Sequence, residues 1–183
     1  LHNAAAAYAA ARALGVPGPQ ARAALATFGG THRRFQPVAE VAGALFFDDY
    51  AHHPTEVAAT LGAARELADQ ARLVVCFQPH LFTRTRDFAT EFGRALAAAD
   101  QIVVLGIYPA REDPIPGVTG RLVADAAIAV AGAERVSYAE TLQAGVDTLS
   151  DLVQAGDVVV TIGAGDVTAV GPLAADRVRS RLV

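Results

Sequence analysis

The chain has 183 residues, 52% of them hydrophobic and 19% charged, enough for one generous domain with a buried core. It holds no apolar run of about 18 residues that would cross a membrane and no basic, apolar and cleavage-site sequence of a secretory signal, so a cytoplasmic protein is expected. A net charge of −4 gives no general attraction to phosphate backbones and argues against nucleic acid as a partner.

The first predicted element, Asn3–Leu14, is almost all alanine, the residue with the best helix propensity. Gly15 and Pro17 just beyond it make a stop. A second helix is expected from about Pro19 to Thr27, ending at Gly29-Gly30, so the two read as a helical hairpin. After Gly30 the pattern changes. Phe35–Val41 and Ala44–Phe47 read as strands around a turn at Gly43. Helices are expected at Val57–Leu67, Asp87–Ala98, Arg121–Ala131, Thr141–Val153 and Val167–Arg181. Strands are expected between them at Leu73–Phe77, Ile102–Leu105, Arg135–Tyr138 and Val158–Ile162. This alternation indicates an α/β fold with a mostly parallel, Rossmann-like sheet and helices on both faces. The continuously apolar strands fit central positions buried on both sides. Cys76 lies in one of them and reads as a buried structural thiol suited to a reducing compartment.

In open parallel sheets ligands bind beyond the carboxyl ends of the strands, and the polar clusters of this sequence fall there. Asp48-Asp49-Tyr50-Ala51-His52-His53-Pro54-Thr55-Glu56 follows one predicted strand and Gln78-Pro79-His80 another. Tyr108-Pro109-Ala110-Arg111 and Gly163-Ala164-Gly165-Asp166 follow two more. The first cluster offers metal-ligand residue types, but neighbours on an extended chain point to opposite sides, so its acids and imidazoles cannot all converge on one ion. No metal site is expected. Arg84 and Arg86 present planar forks suited to a carboxylate or phosphate, although Arg86 also reads as paired with Asp87. The Gly163–Asp166 turn resembles an anion-binding turn without the full spacing of a dinucleotide fingerprint. Gly30-Thr31-His32-Arg33-Arg34 lacks the Gly-Lys-Ser/Thr ending of a P-loop. Nothing supplies a covalent nucleophile.

Taken in order, Arg33-Arg34-Phe35, Asp48 to Glu56, Phe77 to Arg86, Tyr108 to Glu112 with Pro114 to Val118, and Gly163 to Asp166 resemble the Mur ligase family over nearly the whole chain. The most specific pair is Asp-Asp-Tyr-Ala-His-His-Pro-Thr-Glu followed by Phe-Gln-Pro-His. The resemblance implies residues 1–31 as the helical tail of a central ATPase domain and 32–183 as the family's Rossmann-like C-terminal domain. It implies an ATP- and Mg²⁺-dependent carbon–nitrogen ligase of peptidoglycan precursor synthesis, working through an acyl phosphate. The metal ligands and P-loop are expected in the central domain, and the 183 residues alone are expected to be inactive.

Within the family the spelling is nearest the branch with UDP-N-acetylmuramate and L-alanine as substrates. A recycling ligase that attaches a ready-made peptide to the same nucleotide sugar, and a non-catalytic nucleotide-binding α/β module, remain alternatives. On the family pattern Asn3, placed by its distance to Leu14-Gly15-Val16, corresponds to an adenine-binding asparagine. Arg34 corresponds to an arginine facing the ATP phosphates and Asp49 to a ribose-binding aspartate, with Tyr50 beside the nucleotide. His52, His80 and Arg84 correspond to the lining of the amino-acid pocket, Arg84 clamping the carboxylate. Leu81 stands where many relatives have arginine, which leaves Arg84 as the carboxylate's main cationic partner. Because Asn3 and Asp49 fall in different predicted domains, the resemblance also implies a nucleotide site that closes across a domain joint.

Overall fold

The structure, a computed structural model, describes residues 2–182 and divides into two compact units, Leu1–His32 and Arg33–Val183. The first unit is a helical hairpin of α1 (His2–Ala13) and α2 (Gly18–Ala26). Gly15 ends the first helix with φ +87°, a conformation that costs glycine little. Pro sits in the first turn of α2, where its missing N–H is not needed. Arg22 Nη1 donates to the Tyr8 hydroxyl at 3.3 Å and ties the two helices together.

The second unit is built on a six-stranded sheet. Its elements are β1 (Gln36–Val41), β2 (Ala44–Asp49), α3 (Pro54–Ala68), β3 (Leu73–Phe77), α4 (Phe82–Leu96), β4 (Gln101–Leu105), α5 (Arg121–Ala131), β5 (Val136–Ala139), α6 (Leu142–Leu152), β6 (Val158–Ile162) and α7 (Val170–Leu182). Short 3₁₀ turns precede β5 and α7, at Ala133–Arg135 and Asp166–Ala169. The strand order is β1-β2-β6-β3-β4-β5. Only β1 runs antiparallel, paired with β2 through a bulge between Pro37 and Ala39; the β2–β6, β6–β3, β3–β4 and β4–β5 pairs are parallel.

The period-2 alternation of strand side chains divides the core in two. Leu73, Val75 and Phe77 of β3 pack with Ile102, Val104, Val158, Val160 and Ile162 under α3, α4 and α5. Val74 and Cys76 turn the other way, with Val103, Leu105 and Val159, under α6 and α7. Chain direction explains the division. Connections from β2 through β5 step one way along the sheet and the return to β6 steps back, so right-handed crossovers put α3–α5 on one face and α6 on the other. Burial of Cys76 pushes its thiol up to about 12, which leaves it protonated and inert.

Strands Leu73–Phe77 and Val158–Ile162 and helix Arg121–Ala131 occur as expected. Three boundaries differ in ways that matter for the site. Strand β2 runs on to Asp49, because Asp48 and Asp49 are only 2% and 5% exposed and find partners inside. Helix α3 starts at Pro54 and α4 at Phe82, both earlier than apolar periodicity indicates.

Candidate functional site

Four exit segments meet at the carboxyl edge of the sheet. Backbone bonds carry the ladder past the strand ends: Gly163 N–H donates to Asp49 O at 3.0 Å and Gln78 N–H to Ile162 O at 3.0 Å. Tyr108 N–H donates to Pro79 O at 2.8 Å and Leu81 N–H to Tyr108 O at 3.0 Å, which brings the exits of β3 and β4 together.

The alternation of Asp48 and Asp49 sends their carboxylates to opposite sides. Asp48 accepts from Arg33 Nε at 2.8 Å, Thr161 Oγ1 at 2.9 Å and Thr168 Oγ1 at 3.0 Å. Arg33 also donates to Gly163 O at 2.7 Å, so it staples the loop before β1 to the exit of β6. Asp49 accepts from the N–H groups of Phe35 and Ala51, both at 2.8 Å, and from Thr60 Oγ1 at 3.1 Å. Both acids therefore organise the rim from inside. Among the described residues no three His, Cys, Asp or Glu side chains are grouped to hold a metal ion.

Tyr50 and His52 then reach the surface, while Ala51 between them stays in the core. Tyr50 is flanked by two cations, with the guanidinium carbons of Arg33 and Arg34 at 5.1 and 5.7 Å from its ring centre, a cation–π geometry. His52 lies edge-on to Tyr50 with ring centres 5.2 Å apart, and its Nδ1 meets Tyr50 O at 2.9 Å. His53 caps α3, its Nδ1 accepting from Thr55 N–H at 3.4 Å, while Glu56 reaches back to the N–H groups of His52 at 3.0 Å and His53 at 3.3 Å. This is a capping box with histidine in the usual serine or threonine place. Burial pushes the Glu56 carboxyl up, but those amide bonds, with His52 and Arg34 nearby, outweigh it and hold the group below its ordinary value.

His80 closes the cluster. Its ring is 5.8 Å from that of His52 and stacks at 5.8 Å on Tyr108 with 12° between planes. Arg84, on the first turn of α4, places Nη1 3.4 Å from His80 Nδ1 and 3.4 Å from His52 O. Burial lowers the pKa of His80, and the charges of Arg84 and His52 lower it further against a smaller opposing effect of Glu112. A half-buried imidazole kept neutral beside a guanidinium is suited to a ligand that brings a carboxylate for the cation and an amine for the ring.

The structure thus brings His52, His80 and Arg84 together and sets Tyr50 and Arg34 beside them. Asp49 lies beneath with its carboxylate turned inward. Asn3 is exposed on the first turn of α1 in the other unit. Arg86 pairs with Asp87 at 2.7 Å on the exposed face of α4.

At the Gly163–Asp166 turn the neighbouring side chains come close. Gln78 Oε1 accepts from Val167 N–H at 3.1 Å and Gln78 Nε2 donates to Asp166 at 2.6 Å. A Cβ on Gly165 would stand 2.5 Å from both Gln78 Oε1 and the Tyr108 ring. Gln78 thus takes the Val167 N–H, and Gln78 and Tyr108 pack closely against Gly165. Sequence reasoning assigned no role to Arg33, Tyr108 or Glu112. The signal for the last two was their place just beyond β4, on the same rim.

An open, mostly parallel α/β sheet with helices on both faces and its polar groups gathered at the carboxyl edge is a Rossmann-like domain, of a class whose ligand sites lie at that edge. Residues 33–165 match the profile of the Mur ligase glutamate ligase domain, and the chain belongs to the Mur ligase family. Over 174 residues it is 57% identical to the UDP-N-acetylmuramate–L-alanine ligase of Cutibacterium acnes, covering 94% of this chain and 36% of that protein. Over 170 residues it is 58% identical to the enzyme of the same name from Kineococcus radiotolerans, covering 93% and 36%. The crystal structure of the UDP-N-acetylmuramate–alanine ligase of Thermotoga maritima superposes with a TM-score of 0.73 at 27% identity, covering 98% of this chain and 36% of the other. The chain thus spans about a third of the length of the relatives it matches.

Proposed function

We propose that this chain is the amino-acid-binding part of an ATP-dependent ligase that joins L-alanine to UDP-N-acetylmuramate in peptidoglycan precursor synthesis. The observation that carries the proposal is the convergence of His52, His80 and Arg84 on one rim. In this reading a muramate carboxylate oxygen first attacks the γ-phosphorus of ATP, the bond to the β-phosphate oxygen breaks, and an acyl phosphate and ADP result. The alanine amine then attacks the acyl carbon, a C–N bond forms, the bond to the phosphate oxygen breaks, and the ammonium proton is lost. Arg84 takes the alanine carboxylate, and neutral His80 accepts a hydrogen bond or the departing proton from the nitrogen. His52 and Tyr50 close the pocket against water, which would otherwise hydrolyse the acyl phosphate.

Arg34, exposed beside Tyr50, is proposed to meet the ATP phosphates, and Asn3 the adenine. Asp49 is proposed to touch the ribose. A carboxylate offers about four acceptor sites, and internal donors take three of them. The Mg²⁺ of the reaction is expected to take its ligands from the central domain rather than from this chain.

The test is kinetic and uses the longer ligase that contains this chain. Arg84→Ala raises the apparent KM for alanine about tenfold to a hundredfold, the loss of a hydrogen bond to a charged group, and leaves that for ATP near its parent value. An equal rise in both overturns the assignment of Arg84. Resemblance to the Cutibacterium and Kineococcus enzymes at more than half identity favours alanine over a ready-made peptide as the incoming amine.

A further inference from the structure

The turn that carries Arg84 is set apart from the rest of α4. Phe88, inside the helix, has φ −124° and ψ 16°, so residues 82–87 form a short helical piece ahead of a kink. Its N-cap, Leu81, offers no side-chain acceptor, and the first N–H groups of a helix need partners from outside. Here the partner comes from the loop beyond β4. Glu112 Oε2 accepts from Thr83 N–H at 2.9 Å and Glu112 Oε1 from the Thr83 hydroxyl. An acid at a helix N-terminus is also favoured by the helix dipole.

The same loop is tied to the exit of β3 by the Leu81–Tyr108 and Tyr108–Pro79 backbone bonds. At the far end of the short piece the Phe88 ring lies 5.2 Å from that of His53. Leu81 itself has φ +72°, a conformation that a branched side chain rarely adopts, so contacts from outside the helix must hold this turn.

We propose that Glu112 is a positioning residue for the incoming amino acid: by gripping Thr83 at two atoms it fixes where the Arg84 guanidinium stands between His52 and His80. The inference rests on the reading of Arg84 given above and adds to it a residue that touches no substrate. Glutamine at this place keeps the two-point grip, its carbonyl accepting from the Thr83 N–H and its amide donating to the hydroxyl oxygen. Alanine loses both contacts.

In the longer ligase, Glu112→Ala raises the apparent KM for alanine about two- to tenfold, the loss of one or two ordinary hydrogen bonds, and leaves that for ATP where it was. Glu112→Gln restores the parent value. Glu112→Ala combined with Arg84→Ala adds nothing to Arg84→Ala alone, because the two act through one contact. Should Glu112→Ala fail to fold, Thr83→Val removes only the hydroxyl and shows the same split at smaller size. Equal effects on both substrates, no rescue by glutamine, or additivity in the double variant overturns the proposal.

Nuclear magnetic resonance of the 183-residue chain separates this inference from the reading on which it rests. If Glu112→Ala moves the Arg84 Nε–H and His80 ring signals and Glu112→Gln does not, the positioning stands even where Arg84→Ala leaves alanine kinetics unchanged; the pocket assignment then fails instead. If those signals stay in place with Glu112→Ala, Glu112 does not position Arg84.

Discussion

Arg84 places a guanidinium nitrogen 3.4 Å from Nδ1 of His80. A cation so close to a half-buried imidazole opposes its protonation. Burial comes first, Arg84 second, and together they hold His80 below its ordinary pKa of 6.5. The unfolded chain therefore binds the His80 proton more readily than the folded one. Stability from this group is complete above the unfolded value and is lost as pH falls through the folded one. The expected titration, followed by nuclear magnetic resonance, has its midpoint below 6.5 and shifts upward with Arg84→Ala. A midpoint unmoved by that substitution shows that the two side chains are not neighbours in solution.

Asp49 carries a structural role that the nucleotide reading alone does not require. Its carboxylate takes the N–H groups of Phe35 and Ala51 and the Thr60 hydroxyl. Asp49→Ala leaves those donors without their acceptor and is expected to cost about 1–3 kcal/mol in chemical unfolding. A change smaller than about 0.5 kcal/mol, the usual size for a surface substitution, contradicts the buried network.

The sequence contains no Gly-Lys-Ser/Thr phosphate cradle. The 183 residues alone are therefore expected to release no phosphate from ATP when alanine and UDP-N-acetylmuramate are supplied. Alanine-dependent phosphate release by the purified chain contradicts that division of labour.

The central strands could be read to the residue because Leu73–Phe77 and Val158–Ile162 are apolar on both faces, and burial on both faces is what that pattern encodes. The ends of elements were harder to read. Asp48 and Asp49 look like loop residues, yet they extend β2 because Arg33, Thr161, Thr168 and Thr60 satisfy them. Helix α4 begins at Phe82, ahead of its apolar periodicity, and its cap lies in a loop 29 residues away in sequence. Local pattern cannot report a cap supplied from so far. The strand-end rule located the rim, but which side chains crowd each turn depended on packing: Gln78 and Tyr108 close in on Gly165 from distant points of the chain.

The proposed contact between the incoming amino acid and His52, His80 and Arg84 is read most directly by histidine-labelled nuclear magnetic resonance of the longer ligase. The enzyme is held with UDP-N-acetylmuramate and a non-hydrolysable ATP analogue while L-alanine is titrated in. The His52 and His80 ring signals are expected to move together and saturate. Ethylamine, which has the amine without the carboxylate for Arg84, is expected to move them only weakly. Ring signals that stay in place at saturating alanine, or that respond equally to ethylamine, contradict the account.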